Sequence, residues 1–156
     1  MSIASLHTVP EDLKTSIVRI YSYEDKNIQG VINNPFYGEG LVFKNLTQFL
    51  LIMEQIMDDL KFPQAAVQPH RFKAGKKPPE PIIQEPLTSQ AVLATFKVKV
   101  LFRQSASWQG TLSWVEGRQE SSFRSALELI RLMDSALPQP AVSSQAANLH
   151  EAISAG

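Results

Sequence analysis

The stretch "TFKVKVLFRQSASWQGTLSWV" (95–115) decides how the chain is read. Its first nine residues alternate, with Phe96, Val98, Val100 and Phe102 on one side and Lys97, Lys99 and Arg103 on the other. That is the period of a half-buried β-strand. Ser105, Ala106 and Ser107 read as a turn, and 108–115 as a second strand with Trp108, Leu112 and Trp114 on its apolar side. "EGR" (116–118) turns the chain again, and "QESSF" (119–123) has the length of a short third strand. "SALELIRLMDSAL" (125–137) then takes up the helical period. Ser125 and Glu128 stand at capping-box spacing, where two side chains satisfy free amides at a helix start. Pro138 and Pro140 stop the helix, because proline cannot continue it. The unit is β-β-β-α.

Toward the N-terminus the same succession recurs. "SIVRIYSY" (16–23) is the strand, "EDKN" (24–27) the turn and "QGVIN" (29–33) the second strand. "NPFYGEG" (34–40) makes a longer turn, "LVF" (41–43) a third strand and "LTQFLLIMEQIMDDL" (46–60) the helix, with Asn45 and Gln48 at the capping spacing. Residues 15–60 laid on 95–140 without a gap coincide at Thr15/Thr95, Val18/Val98, Gln29/Gln109, Gly30/Gly110, Phe43/Phe123 and Met53/Met133. The expectation is an α+β fold. Two tandem duplicated β-β-β-α units form one pseudo-two-fold domain, with antiparallel strands in one continuous or two apposed sheets and two packed helices. The first unit spans 15–61 and the second 93–137. Each paired glycine, early in a second strand, implies a close approach of neighbouring chain.

Between the units, 62–92 is a basic linker that holds six of the ten prolines, and proline favours extended chain over regular elements. The tail, 138–156, is rich in Ala, Ser and Gln and reads as loose. The helices carry wide apolar arcs. Leu46, Leu50, Met53 and Met57 make one stripe of the first, and Phe49, Ile52, Ile56 and Leu60 a second. Leu127, Ile130, Met133 and Leu137 are joined in the other helix by Leu129, Leu132 and Ala136. An arc this wide calls for two partners. The expectation is that Leu50, Met53, Ile130 and Met133 are buried, and that Phe49, Ile52 and Ile56 meet Leu129 and Leu132 across the halves.

The pattern Trp108-Gln109-Gly110 followed by Phe123-Arg124-Ser125 resembles that of small bacterial proteins of unassigned function, in which a W-x-G strand precedes an F-x-[SN] helix start. Ile28-Gln29-Gly30 with Phe43-Lys44-Asn45 repeats it, with Ile in place of Trp. The resemblance covers about 90 residues. It implies the β-β-β-α fold and brings no activity.

Composition narrows the chemistry. The 156 residues hold no cysteine, so disulfides, thiolate metal sites and cysteine nucleophiles are excluded. Fifteen basic residues balance fifteen acidic ones, too even a balance for long-range steering of a polyanion. No basic start precedes an apolar run, and no run approaches the roughly 20 residues of a membrane span. A cytoplasmic protein without a membrane partner is expected. His7, His70 and His150 stand alone, which leaves no ligand set and no expected metal or other cofactor. "KAGKK" (73–77) has Lys77 where a phosphate loop needs Ser or Thr, and no serine sits in a nucleophile elbow. No enzyme is expected.

What remains is a surface. Arg19, Tyr21 and Tyr23 on one strand, and Lys97, Lys99 and Arg103 on its counterpart, are expected to face away from the core. This is either an ordinary polar sheet face or, since Tyr and Arg anchor interfaces, a binding face. With Phe36 and Tyr37 in the β-turn they make a candidate surface for another protein or a second copy of the chain. Arg71, Lys73, Lys76 and Lys77 in the linker offer the alternative, a nucleic-acid contact.

Overall fold

The structure, a computed structural model, describes residues 9–63, 91–103 and 107–139. The linker residues Arg71, Lys73, Lys76 and Lys77, the three histidines and the tail beyond Gln139 lie outside the described residues.

A single turn of helix, α1 (Glu11–Lys14), leads into β1 (Thr15–Ser22). Strands β2 (Gln29–Asn33) and β3 (Leu41–Phe43) follow, and then helix α2 (Leu46–Leu60). The second half supplies β4 (Ala94–Phe102), β5 (Gln109–Trp114), β6 (Gln119–Phe123) and α3 (Ala126–Ala136). All six strands join one sheet in the order β3-β2-β1-β4-β5-β6, with every neighbouring pair antiparallel. The choice between one sheet and two is settled by β1 and β4, which pair along their length from Thr15↔Lys99 to Ile20↔Ala94.

Register repeats at an interval of 80 residues. β1 meets β2 through Ile17↔Asn33, Val18↔Ile32, Arg19↔Val31 and Ile20↔Gly30, and β4 meets β5 through Lys97↔Ser113, Val98↔Leu112, Lys99↔Thr111 and Val100↔Gly110. The outer pairs behave alike, with Gly30↔Phe43 beside Gly110↔Phe123. In both places the register slips, between Ile20 and Ser22 and between Val100 and Phe102. The caps agree as well. Asn45 Oδ1 accepts from Gln48 N at 2.8 Å and Ser125 Oγ from Glu128 N at 3.1 Å. The return bond goes one residue further out than a capping box places it. Gln48 Oε1 accepts from Lys44 N at 2.7 Å, and Glu128 Oε2 from Arg124 N at 3.4 Å.

Both helices cover the same side of the sheet. Val18, Ile20, Ile32, Phe43, Phe96, Val98, Val100, Leu112 and Phe123 point toward them and join Phe49, Ile52, Met53, Ile56, Met57, Leu129 and Met133 in one buried cluster. Phe43 and Phe49 meet edge to face, 5.2 Å between ring centres. The helical arcs are narrower than their apolar composition suggests. Met53 and Met133 are buried, but Leu50 and Ile130 are only half-buried and Leu127 is 61% exposed. Phe49, Ile52, Ile56 and Leu129 are buried as expected, yet each helix has strands as its closest backbone neighbours, β3 for α2 and β5 and β6 for α3. The side chains of both expected stripes nonetheless share one buried cluster, with Leu132 packed against it.

Candidate functional site: the open face of the sheet

With both helices on one side, the register defines what stands on the other. One row reads Asn33, Ile17, Lys97, Ser113 and Glu120 across five strands. A second reads Val42, Val31, Arg19 and Thr95, and a third Thr15, Lys99, Thr111 and Ser122. Basic side chains therefore cluster where β1 and β4 meet. Arg19 Nη1 donates to Asn33 Oδ1 at 2.8 Å, which ties the guanidinium to the neighbouring strand. Lys99 Nζ reaches Glu11 Oε2 at 2.7 Å, and Lys14 holds the other oxygen of the same carboxylate at 2.9 Å. The hydrogen bond from Lys99, with that from Lys14, pulls the Glu11 carboxyl down to about 2. Lys97 is exposed and has no ion pair among the described residues. Gly40 of the β2–β3 connection closes over Val31, which is buried although it belongs to this face.

Only part of the surface expected from the sequence assembles here. Arg19, Lys97 and Lys99 stand on the open face, and Tyr21 occupies the bulge at its rim. Tyr23 and Arg103 do not face away from the core. A bulge inserts one residue into the strand, and every side chain beyond it changes side. Phe102, expected in the core, is therefore 52% exposed, and Arg103 is 4% exposed on the helix side. Arg103 Nε donates to the Pro63 carbonyl at 2.6 Å, and Nη1 to Glu54 at 3.1 Å and Asp58 at 2.9 Å, both on α2. The indole of Trp108 donates to the other oxygen of Glu54. Eighty residues earlier, Tyr23 Oη donates to Asp134 on α3 at 2.7 Å, and Lys26 Nζ joins the same oxygen at 2.7 Å. Burial, then this carboxylate, pushes the Tyr23 hydroxyl up to about 12; the bonds from Lys26 and Tyr23 hold Asp134 below the usual range. Tyr37 likewise turns to the helices, its hydroxyl bonded to Asp59, while Phe36 stays 49% exposed on the turn.

The residues that the sequence reading missed are Arg118, Val115 and Ser113. They border a hollow of about 290 Å³ beside Lys97, together with Trp114, Gln119 and Glu120. Ser113 was open to sequence reasoning, since it alternates with Leu112 and Trp114. Arg118 sits in a turn at φ 52°, and nothing in its neighbours' periodicity placed it near Lys97.

Among the described residues no cluster of His, Cys, Asp and Glu has the geometry of a metal site, and no helix is long and apolar enough to cross a membrane. Compared with family models, with curated proteins and with solved structures, the chain matches none.

Proposed function

We propose that the protein is a non-enzymatic, cytoplasmic binding module that engages another protein through the open face of its sheet. One observation carries this reading: α2 and α3 both lie on one side, so the other side presents three basic side chains from two adjacent central strands without a covering layer among the described residues. An antiparallel sheet tolerates one solvated face, so the bare face alone is not the argument. The concentration of Arg19, Lys97 and Lys99 at its centre is.

The same proposal includes the architecture. The chain is a tandem duplication of a β-β-β-α unit arranged as a pseudo-two-fold domain, of the kind resembled in small bacterial proteins of unassigned function. Matching register, bulges and helix caps at an 80-residue interval support it. So does the register between β1 and β4, where exchanging the halves turns Ser16↔Val98 into Val18↔Phe96 and leaves Ile17↔Lys97 in place.

The test compares two charge changes on opposite sides. Lys97→Glu alters the open face and Leu127→Glu the exposed side of α3. A co-purifying protein lost with Lys97→Glu and kept with Leu127→Glu, both variants folded by circular dichroism, is the expected result. Loss with Leu127→Glu alone removes the sheet face from the proposal. A nucleic-acid partner is the second reading, favoured by the same three cations; it requires steep loss of binding with salt and removal by nuclease.

A further inference from the structure

Resting on that reading, we infer that the protein recognised is an acidic, extended segment, and that one of its carboxylates seats in the hollow between Lys97 and Arg118. The hollow lies over β4, β5 and the β5–β6 turn, with Lys97 and Arg118 on its rim and Ser113 between strands β4 and β6. Both cations are exposed, and among the described residues neither forms an ion pair. Glu120 stands on the same rim, so two positive charges face one negative charge and the hollow favours an anion. A planar guanidinium holds a carboxylate with two parallel bonds, a lysine adds a point charge, and a serine hydroxyl donates a further hydrogen bond. Val115, 43% exposed at the same hollow, offers an apolar contact to the neighbouring residue of the segment.

Two other occupants fit less well. A second copy placed face to face would bring Arg19 and Lys97, neither ion-paired among the described residues, toward the same two residues, and like charges across an interface are costly. A nucleic acid gains affinity from many phosphate contacts and from rings free to stack on bases. Here Arg19 is engaged by Asn33 and Lys99 by Glu11, and the ring of Trp114 lies so close under Gly117 that a Cβ there would overlap it. Two cations without an ion pair among the described residues, beside one exposed valine, suit a peptide of alternating acidic and apolar residues.

The experiment is an amide chemical-shift titration of the full chain with three probes: a synthetic peptide alternating Glu and Leu, the same peptide with Gln for Glu, and oligothymidylate. The Glu peptide is expected to shift the amides of Lys97, Ser113 and Arg118. The double change Lys97→Gln with Arg118→Gln, both at exposed positions, is expected to weaken it by more than about tenfold, since a single charge-assisted hydrogen bond is worth that much and the pair supplies more than one. Equal binding of the Gln peptide overturns the inference, because charge is then not what is recognised. Shifts on this face from oligothymidylate and not from the peptide overturn it while leaving the face as a binding surface. Shifts confined to the helix side, with any probe, overturn the inference and the choice of face together. Silence from all three probes overturns the inference alone, since the comparison of Lys97→Glu with Leu127→Glu remains to judge the face.

Discussion

Gly30 and Gly110 show what a single residue contributes here. Each sits opposite a bulge, and neither needs an unusual backbone angle. What each needs is space. A Cβ built on Gly110 would lie 1.9 Å from the Lys99 carbonyl oxygen, and one on Gly30 would lie 2.1 Å from that of Arg19. Both obstacles are backbone, so no side chain can swing aside. Gly110→Ala is therefore expected to cost about 3 kcal/mol, the upper part of the range for overpacking, measured as a lower urea midpoint at unchanged slope. An unchanged midpoint contradicts the close approach. The glycine pair was visible in the sequence, and its implied close approach is where the strands meet.

At the scale of elements, the strands and helices were legible from period and caps, whereas the directions of their ends were not. The alternation of Phe96, Val98 and Val100 continues formally to Phe102, and nothing in the side chains of Leu101 or Phe102 announces an extra residue. The bulge is a property of the pair of strands, and its trace in the sequence is the glycine across from it. Tyr23 and Arg103 were accordingly placed on the wrong side, and with them the bonds to α3 and α2. The Tyr23–Asp134 bond has a pH signature. Its raised tyrosine pKa means that the bond contributes fully below the ordinary value of 10.0 and is lost as pH rises toward about 12. Asp134 works in the opposite sense, contributing above its ordinary 3.8 and lost in acid. Ultraviolet titration of the phenolate is expected to place Tyr23 near 12 and, in Asp134→Asn, lower but still above 10, because burial is the larger cause. A return to 10 in that variant makes the carboxylate the main cause instead.

For the whole molecule, the sequence allowed one sheet or two, since pairing of β1 with β4 depends on contacts that no local pattern encodes. It also overestimated how much of each helix the core takes. Leu51 and Leu127 are apolar and exposed, a reminder that hydrophobic residues are common on surfaces. The two sides of a helix can be told apart by substitution. Ile52→Glu places a carboxylate at a position 6% exposed inside the shared cluster, and is expected to cost several kcal/mol or unfold the chain. Leu127→Glu is expected to stay within about 0.5 kcal/mol of the parent, as surface changes do. Comparable losses in both, by thermal unfolding, contradict the single-sided core. The charged surface was legible as a list of residue types; its gathering of Lys97 with Arg118 was not, because it needs the sheet to be closed first.

The bonds from strand ends to helices run between the halves. Arg103 holds Glu54 across 49 positions of chain, and Tyr23 holds Asp134 across 111. Each half thus keeps its own helix in place with a residue borrowed from the other, while β1 and β4 zip the two together along the sheet's midline. A peptide bond cut between residues 63 and 91 would leave this fabric whole. The two fragments are expected to remain associated through gel filtration, and, mixed after separation in urea, to find each other again as a split protein whose reassembly reports on the fold.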